Sequence, residues 1–249
     1  MSKRQEIRAR RHREQIRNRI IIILLVIAGA LLVSFALIVP SVNNARVAAN
    51  ATQTAENYTP PPVLTITPRV VNAKVDGVHL GDPNAPVKVD VYEDYRCVAC
   101  LSFIQNFEPQ IIQNYVETGK VYYTFHNYIV IDKNDGTDAS LRSANAALCA
   151  NEQNRFWDYH DTLFANQITE NAALFTDARL STMAQNLKLD MTAFDQCYQA
   201  RKYAGEIQKD IDQAVALGVT GTPSVFVDGK FISNFTQVPQ AIDTALAGK

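Results

Sequence analysis

The chain has 249 residues, enough for one domain of ordinary size with appendages. Its composition, 47% hydrophobic and 20% charged, excludes wholesale disorder, and a net charge of −1 gives no global reason to expect nucleic acid as a partner. The charge is unevenly placed, however: residues 1–19 carry eight Lys/Arg against two Asp/Glu, a local +6 on a body of −7.

A basic head on an acidic body calls for a partner of its own. The next stretch supplies one. Residues 20–39 carry no charge, and Ser34 is their only clearly polar side chain. A helix of that length rises about 30 Å, the thickness of a bilayer core. Arg8, Arg10, Arg11, Arg13, Arg17 and Arg19 flank its N-terminal side. The positive-inside rule therefore keeps that end cytoplasmic and places the rest of the chain outside. A cleaved signal peptide is the alternative, but its apolar region usually runs about 7–15 residues, so a retained anchor is expected. All four cysteines follow the span, on the side where disulfides are permitted.

Residues 40–75 read as an extracytoplasmic linker stiffened by Pro60-Pro61-Pro62. Within it, residues 63–67 alternate like an edge strand. The globular part is expected over 76–249. A turn cluster at residues 81–86 leads into an alternating strand over 87–93.

Cys97-Val98-Ala99-Cys100 then opens a helix expected over 98–116. A strand feeding a helix through Cys-x-x-Cys is a redox setting. A thiol at a helix N-terminus faces unpaired N–H groups and the positive end of the dipole, and both favour the nucleophilic thiolate. The second cysteine lies one turn on, where it can resolve a mixed disulfide. An inert structural bridge is one rival. A zinc site is the other, and it lacks a second close pair: Cys149 and Cys197 are isolated, and His12, His79, His126 and His160 are scattered, so no metal is expected.

A β run follows over 121–131, giving the strand–helix–strand order of a right-handed parallel crossover. Residues 137–218 turn helical, with apolar spacing over 140–150, 156–164, 177–187, 191–198 and 203–217. Residues 224–227 and 230–232, joined by Asp228-Gly229, read as a hairpin with a type I′ turn, and 238–246 as a closing amphipathic helix. Thr222-Pro223 precedes the hairpin. A proline there cannot donate to the ladder, and a cis bond would mark a functional turn beside an edge where an extended polypeptide can add. His160, among Trp157, Tyr159 and Phe164, reads as a core residue, and neither it nor His126 is given a role.

Five motifs, in order, carry a resemblance. They are Leu80-Gly81-Asp82-Pro83-Asn84-Ala85-Pro86-Val87, Tyr92-x-Asp94-Tyr95-x-Cys97-x-x-Cys100, Gly119-Lys120-Val121, Phe156-Trp157-x-Tyr159-His160-Asp161-x-Leu163-Phe164, and Gly221-Thr222-Pro223-Ser224-Val225-Phe226-Val227-Asp228-Gly229. Over about residues 76–246 the chain resembles the DsbA-like thioredoxin-fold family of extracytoplasmic thiol–disulfide oxidoreductases. The resemblance implies an α/β thioredoxin fold with a helical insertion at about 137–218, here preceded by an N-terminal transmembrane helix. It implies Cys97 as nucleophile, Cys100 as resolving thiol, and Pro223 as a cis-proline facing them, with Thr222 beside it in the substrate-binding turn. Clients would be unfolded or reduced exported proteins, and a membrane quinone-linked thiol oxidase would recycle the pair, since the chain shows no cofactor site of its own.

Two positions depart from the family pattern. Val98-Ala99 supplies neither the proline nor the histidine often found between the cysteines. Val91 stands six residues before Cys97, where thioredoxin-like proteins often bury an acid. Asp94 is the candidate proton shuttle instead, or a helix cap. Cys149 and Cys197, both in the insertion, are expected to pair in an oxidising compartment, as second bridges do in some DsbA-like proteins; two buried free thiols are the alternative. No dimerisation segment stands out, so a monomer is expected. A thiol reductase using the same site, and a tethered binding module with a structural disulfide, are the competing functions.

Overall fold

The fold is seen in a computed structural model that describes residues 58–249. The basic segment, the span expected at 20–39 and the first part of the expected linker lie outside the described residues. Among those described, no helix is long and apolar enough to cross a membrane.

The centre is a six-stranded sheet: β1 (Val75–Asp76), β2 (His79–Leu80), β3 (Val87–Glu93), β4 (Val121–Asn127), β5 (Ser224–Val227) and β6 (Lys230–Ile232), in the spatial order β1-β2-β4-β3-β5-β6. β3 and β4 run parallel, with Val87 opposite Val121 and Glu93 opposite Asn127. β5 joins the other side of β3 antiparallel, placing Tyr92 opposite Ser224. Alternation explains the central strand. Val87, Val89 and Val91 are fully buried on one face, while Lys88 and Asp90 are only half-buried. Gly81 lets β2 meet β4 closely: its φ is +98°, and a Cβ there would lie 2.5 Å from the Val121 carbonyl oxygen. Asp228 and Gly229 both take positive φ, as a type I′ turn requires.

The helix expected over 98–116 is divided. α1 (Val98–Asn106) ends at Phe107, α2 (Glu108–Ile111) follows, and a wider π turn covers Ile112–Val116. Pro109 supplies the reason: with no N–H to donate, it interrupts the ladder where α1 would continue. The β run expected over 121–131 stops at Asn127, and α3 (Ile131–Asp135) begins instead. The cause is tertiary. The Asp94 carboxylate accepts from the Val130 and Ile131 N–H groups, at 2.9 and 3.0 Å, and so caps a helix 37 residues away.

The insertion is built from α4 (Ala139–Asn151), α5 (Phe156–Ala165), α6 (Asp177–Asn186), α7 (Met191–Gln199) and α8 (Ala204–Ala216). A disulfide joins Cys149 on α4 to Cys197 on α7, with Cα atoms 5.8 Å apart. α8 packs on the opposite sheet face, with Ala214 against a small cluster holding Tyr92, Tyr128, Val219 and Phe226. α9 (Val238–Ala247) closes the chain over β3 and β5, burying Val238 and Ile242.

Residues 58–74, within the stretch read as a linker, form an extended strap on the domain. No strand forms at 63–67; the Asn166 side chain instead pairs with both the N–H and the carbonyl of Leu64, at 2.7 and 3.1 Å. Arg69 reaches Asp161 and Glu108, and Arg179 holds the Pro61 carbonyl.

Candidate active site

Cys97 is the N-cap of α1, with extended backbone (φ −73°, ψ 119°), and its N–H donates to the Asp94 carbonyl at 2.9 Å. Both Cys97 and Cys100 are free thiols; Cys97 is 7% exposed and Cys100 fully buried. The Thr222–Pro223 peptide is cis, and it brings the Thr222 carbonyl to 3.3 Å from Cys97 Sγ, which donates to it. The turn before β5 is tied at two points: the Tyr128 hydroxyl donates to the Val219 carbonyl at 2.9 Å, and Ser224 Oγ to the Gly221 carbonyl at 2.8 Å.

The two thiols titrate in opposite directions. Cys97 is pulled down to about 6, first by a hydrogen bond from Cys100, then against burial by the Thr222 hydroxyl and by the Cys100 and Ala99 backbone N–H groups of the helix N-terminus. Cys100 is driven well above its ordinary value by burial, by its bond to Cys97 and by the charge of Glu93. The outer thiol is thus shifted toward its thiolate, while the inner one stays a thiol that must exchange a proton to react.

Asp94 is committed elsewhere. Besides capping α3, it accepts from the Arg96 N–H at 2.9 Å, so both its oxygens are bonded to backbone N–H groups. Arg96, 1% exposed, joins the thiol loop to the insertion through Asp132, Asp135, the Thr137 hydroxyl and the Glu170 carbonyl.

The acid whose charge reaches Cys100 is Glu93. It is 1% exposed and neither carboxylate oxygen has a hydrogen-bond partner. Burial lifts it to about 7, against the pull of His160. Strand alternation was the signal: Glu93 shares the buried face of Val87, Val89 and Val91, so a carboxylate occupies an apolar phase of β3. His160, fully buried, places Nε2 at 3.7 Å from Glu93 Oε2 and Nδ1 at 3.1 Å from Asp161 Oδ1. His126 lies on another cluster, with Asp90 at 3.0 Å and Asp210 at 3.4 Å. Among the described residues no group of histidine, cysteine and acidic side chains forms a metal site.

Comparison with known proteins bears on the family and the fold. Residues 73–244 match the family described as Thioredoxin. A probable disulfide bond formation protein D of Bacillus cereus is 31% identical over 170 residues, 67% of this chain and 77% of that protein. The oxidised crystal structure of BdbD from Bacillus subtilis superposes with a TM-score of 0.62 at 24% identity, covering 76% of this chain and all of that one. The oxidised crystal structure of Mtb DsbA gives a TM-score of 0.54 at 27% identity, covering 70% of this chain and 99% of that one.

Proposed function

For a chain that belongs to the DsbA-like thioredoxin-fold family, and is a thiol–disulfide oxidoreductase, we propose disulfide formation in exported proteins, by a domain tethered outside the cell membrane through residues 20–39, with residues 1–19 cytoplasmic. The observation that carries the reading is the placing of Cys97 Sγ, at the N-terminus of α1, 3.3 Å from the Thr222 carbonyl of the cis turn, with Cys100 fully buried one turn behind it. In the oxidised protein a client thiolate attacks Cys97 Sγ. The client–Cys97 bond forms, the Cys97–Cys100 bond breaks, and Cys100 leaves with the electron pair. It takes a proton from Glu93. The client's second thiolate then attacks its own sulfur in the mixed disulfide and releases Cys97 as thiolate. Thr222 and Pro223 present the edge along which an extended client lies. The reduced pair is reoxidised by a membrane thiol oxidase linked to quinone.

The low Cys97 value supports the oxidising direction, because a stable thiolate is a good leaving group and stabilises the reduced form. It is nevertheless nearer to thioredoxin, about 7, than to DsbA, about 3.5, as expected when Val98-Ala99 brings no imidazole. The deciding experiment is equilibration of the pair with glutathione. A potential of about −120 to −180 mV assigns a disulfide donor, and one near about −270 mV assigns the reductase. The binding-module alternative predicts no transfer at all. Cys97→Ser is expected to abolish transfer, and Cys100→Ser to accumulate a client–Cys97 mixed disulfide on a denaturing gel.

A further inference from the structure

Behind Cys100 stands a line of buried charged groups that begins on a different part of the chain. Glu93 has no hydrogen-bond partner, and His160 faces it with Nε2 at 3.7 Å from Oε2. The His160 ring is wedged between Trp157 and Phe164, each 5.0 Å away by ring centroids, so it cannot swing to another partner. Its far nitrogen is held by Asp161, and both Asp161 oxygens are held by the Arg69 guanidinium. The third Arg69 nitrogen reaches Glu108 Oε2 at 2.6 Å, and Glu108 Oε1 accepts from the Tyr123 hydroxyl at 3.0 Å. Side-chain exposure rises along this line, from none at Glu93 and His160 to 12% at Asp161 and 22% at Arg69. Arg69 and Asp161 end in a groove of about 540 Å³ between the strap and α1, α2 and α5.

Charges within this set do not balance unless one proton is shared. Three carboxylates, Glu93, Glu108 and Asp161, face two cations, Arg69 and His160; the Tyr95 and Tyr123 hydroxyls and the Cys100 thiol complete the groups around them. Against burial, hydrogen bonds to His160 and then to Arg69 hold Asp161 charged, down to about 2. Asp161 in turn overcomes the effect of burial on His160 and lifts it to about 9. Of the three carboxylates, Glu93 is the one with no hydrogen bond, since Glu108 is held by Arg69 and Tyr123 and Asp161 by Arg69 and His160, and burial lifts it toward neutrality.

We propose that Arg69 on the strap and His160 on α5 are positioning residues for the thiol chemistry: through Asp161 they hold a cation opposite Glu93 and so set the pH at which Glu93 exchanges a proton with Cys100. The proposal rests on the reading of Glu93 as the proton partner of Cys100. It makes residues 58–74, upstream of the thioredoxin domain, part of the active site's electrostatics.

The step that reads this out is closure of a Cys97–glutathione mixed disulfide. Glu93 carboxylate takes the Cys100 thiol proton, Cys100 Sγ attacks Cys97 Sγ, the Cys97–Cys100 bond forms, and glutathione leaves as thiolate with the electron pair. The closure rate then rises with pH as Glu93 ionises. The experiment is single-turnover oxidation of the full-length reduced chain by glutathione disulfide, followed across pH, for the wild type, His160→Gln, Arg69→Met and Arg69→Lys. Removing the facing cation raises Glu93, so in His160→Gln the limb is expected to move up by about one pH unit, a tenfold change in the ionised fraction. Arg69→Met is expected to move it in the same direction and Arg69→Lys to restore much of it. An unmoved limb in variants that unfold at the wild-type denaturant midpoint overturns the proposal. Should the variants fail to fold, the wild type decides by NMR. His160 ring signals whose titration midpoint differs between the oxidised and reduced pair support the coupling, and identical titrations overturn it. A wild type that never forms the mixed disulfide overturns the functional reading itself, and the inference with it.

Discussion

Two neighbouring acids at the end of β3 show how side-chain direction assigns chemistry. Asp94 turns to backbone N–H groups and builds the loop, while Glu93 is buried on the apolar face of β3 with no hydrogen-bond partner. Glu93 is expected to penalise stability. Its folded-state value, about 7, lies above the ordinary 4.5, so the folded state binds more protons in that window and stability falls as pH rises through it. Glu93→Gln should remove that slope and gain about 1–3 kcal/mol at pH 8, while slowing closure by Cys100. Urea unfolding at pH 5 and pH 8, set beside exchange rates, checks both. For the nucleophile, ultraviolet thiolate absorbance of the reduced protein should titrate near 6, with Cys97→Ser removing that transition.

At the scale of elements, helix α8 is clamped to the sheet by charge as well as by apolar packing. His126 on β4 sits between Asp90 on β3 and Asp210 on α8, stacked on Tyr92 at 4.5 Å. Burial disfavours its charge, but bonds to Asp210 and Asp90 raise it to about 9. A raised histidine contributes stability that is complete below about 6.5 and lost as pH rises through 9. The unfolding free energy should therefore decline from pH 7 to pH 9.5, and His126→Gln should make that decline shallower, leaving the part due to His160. Because α8 runs directly into the turn carrying Thr222 and Pro223, the same loss should loosen hydrogen exchange at Val219. The bridge between α4 and α7 acts on the unfolded chain instead. It closes a separation of 48 residues, for which loop entropy gives about 4 kcal/mol. Replacing Cys149 and Cys197 by alanine together should lower stability by up to that amount and leave the Cys97–Cys100 pair active.

Over the whole molecule, the boundary of the folded unit lies upstream of the thioredoxin core. The strap buries Arg69 between Glu108 and Asp161 and pairs Leu64 with Asn166. A chain shortened to begin at residue 76 leaves two buried carboxylates without their cation. Breaking such a pair typically destabilises by about 3–5 kcal/mol. The shortened chain should therefore unfold well before one that begins at residue 58, in the same denaturant series. The low-pH arm should differ too: Asp161 is held at about 2, so its contribution is present above its ordinary 3.8 and lost as pH falls through 2, and the shortened chain, which keeps His160 but not Arg69, should show a smaller loss.

What the sequence determined by itself is whatever local rules decide. Alternation marked the core face of β3, Asp228-Gly229 marked the hairpin turn, the 3–4 spacings marked the five helices of the insertion, and Cys-x-x-Cys at a strand-to-helix junction marked the thiols. Each follows from backbone geometry within a few residues. Tertiary structure alone decided where the β run after Val121 stops, because its end is capped by Asp94 from another segment. It likewise turned a proline-rich stretch into a strap through Arg69, and made a pair out of Glu93 and His160, 67 positions apart. A buried charge takes its role from the charges that burial brings against it, and those come from wherever the chain folds back.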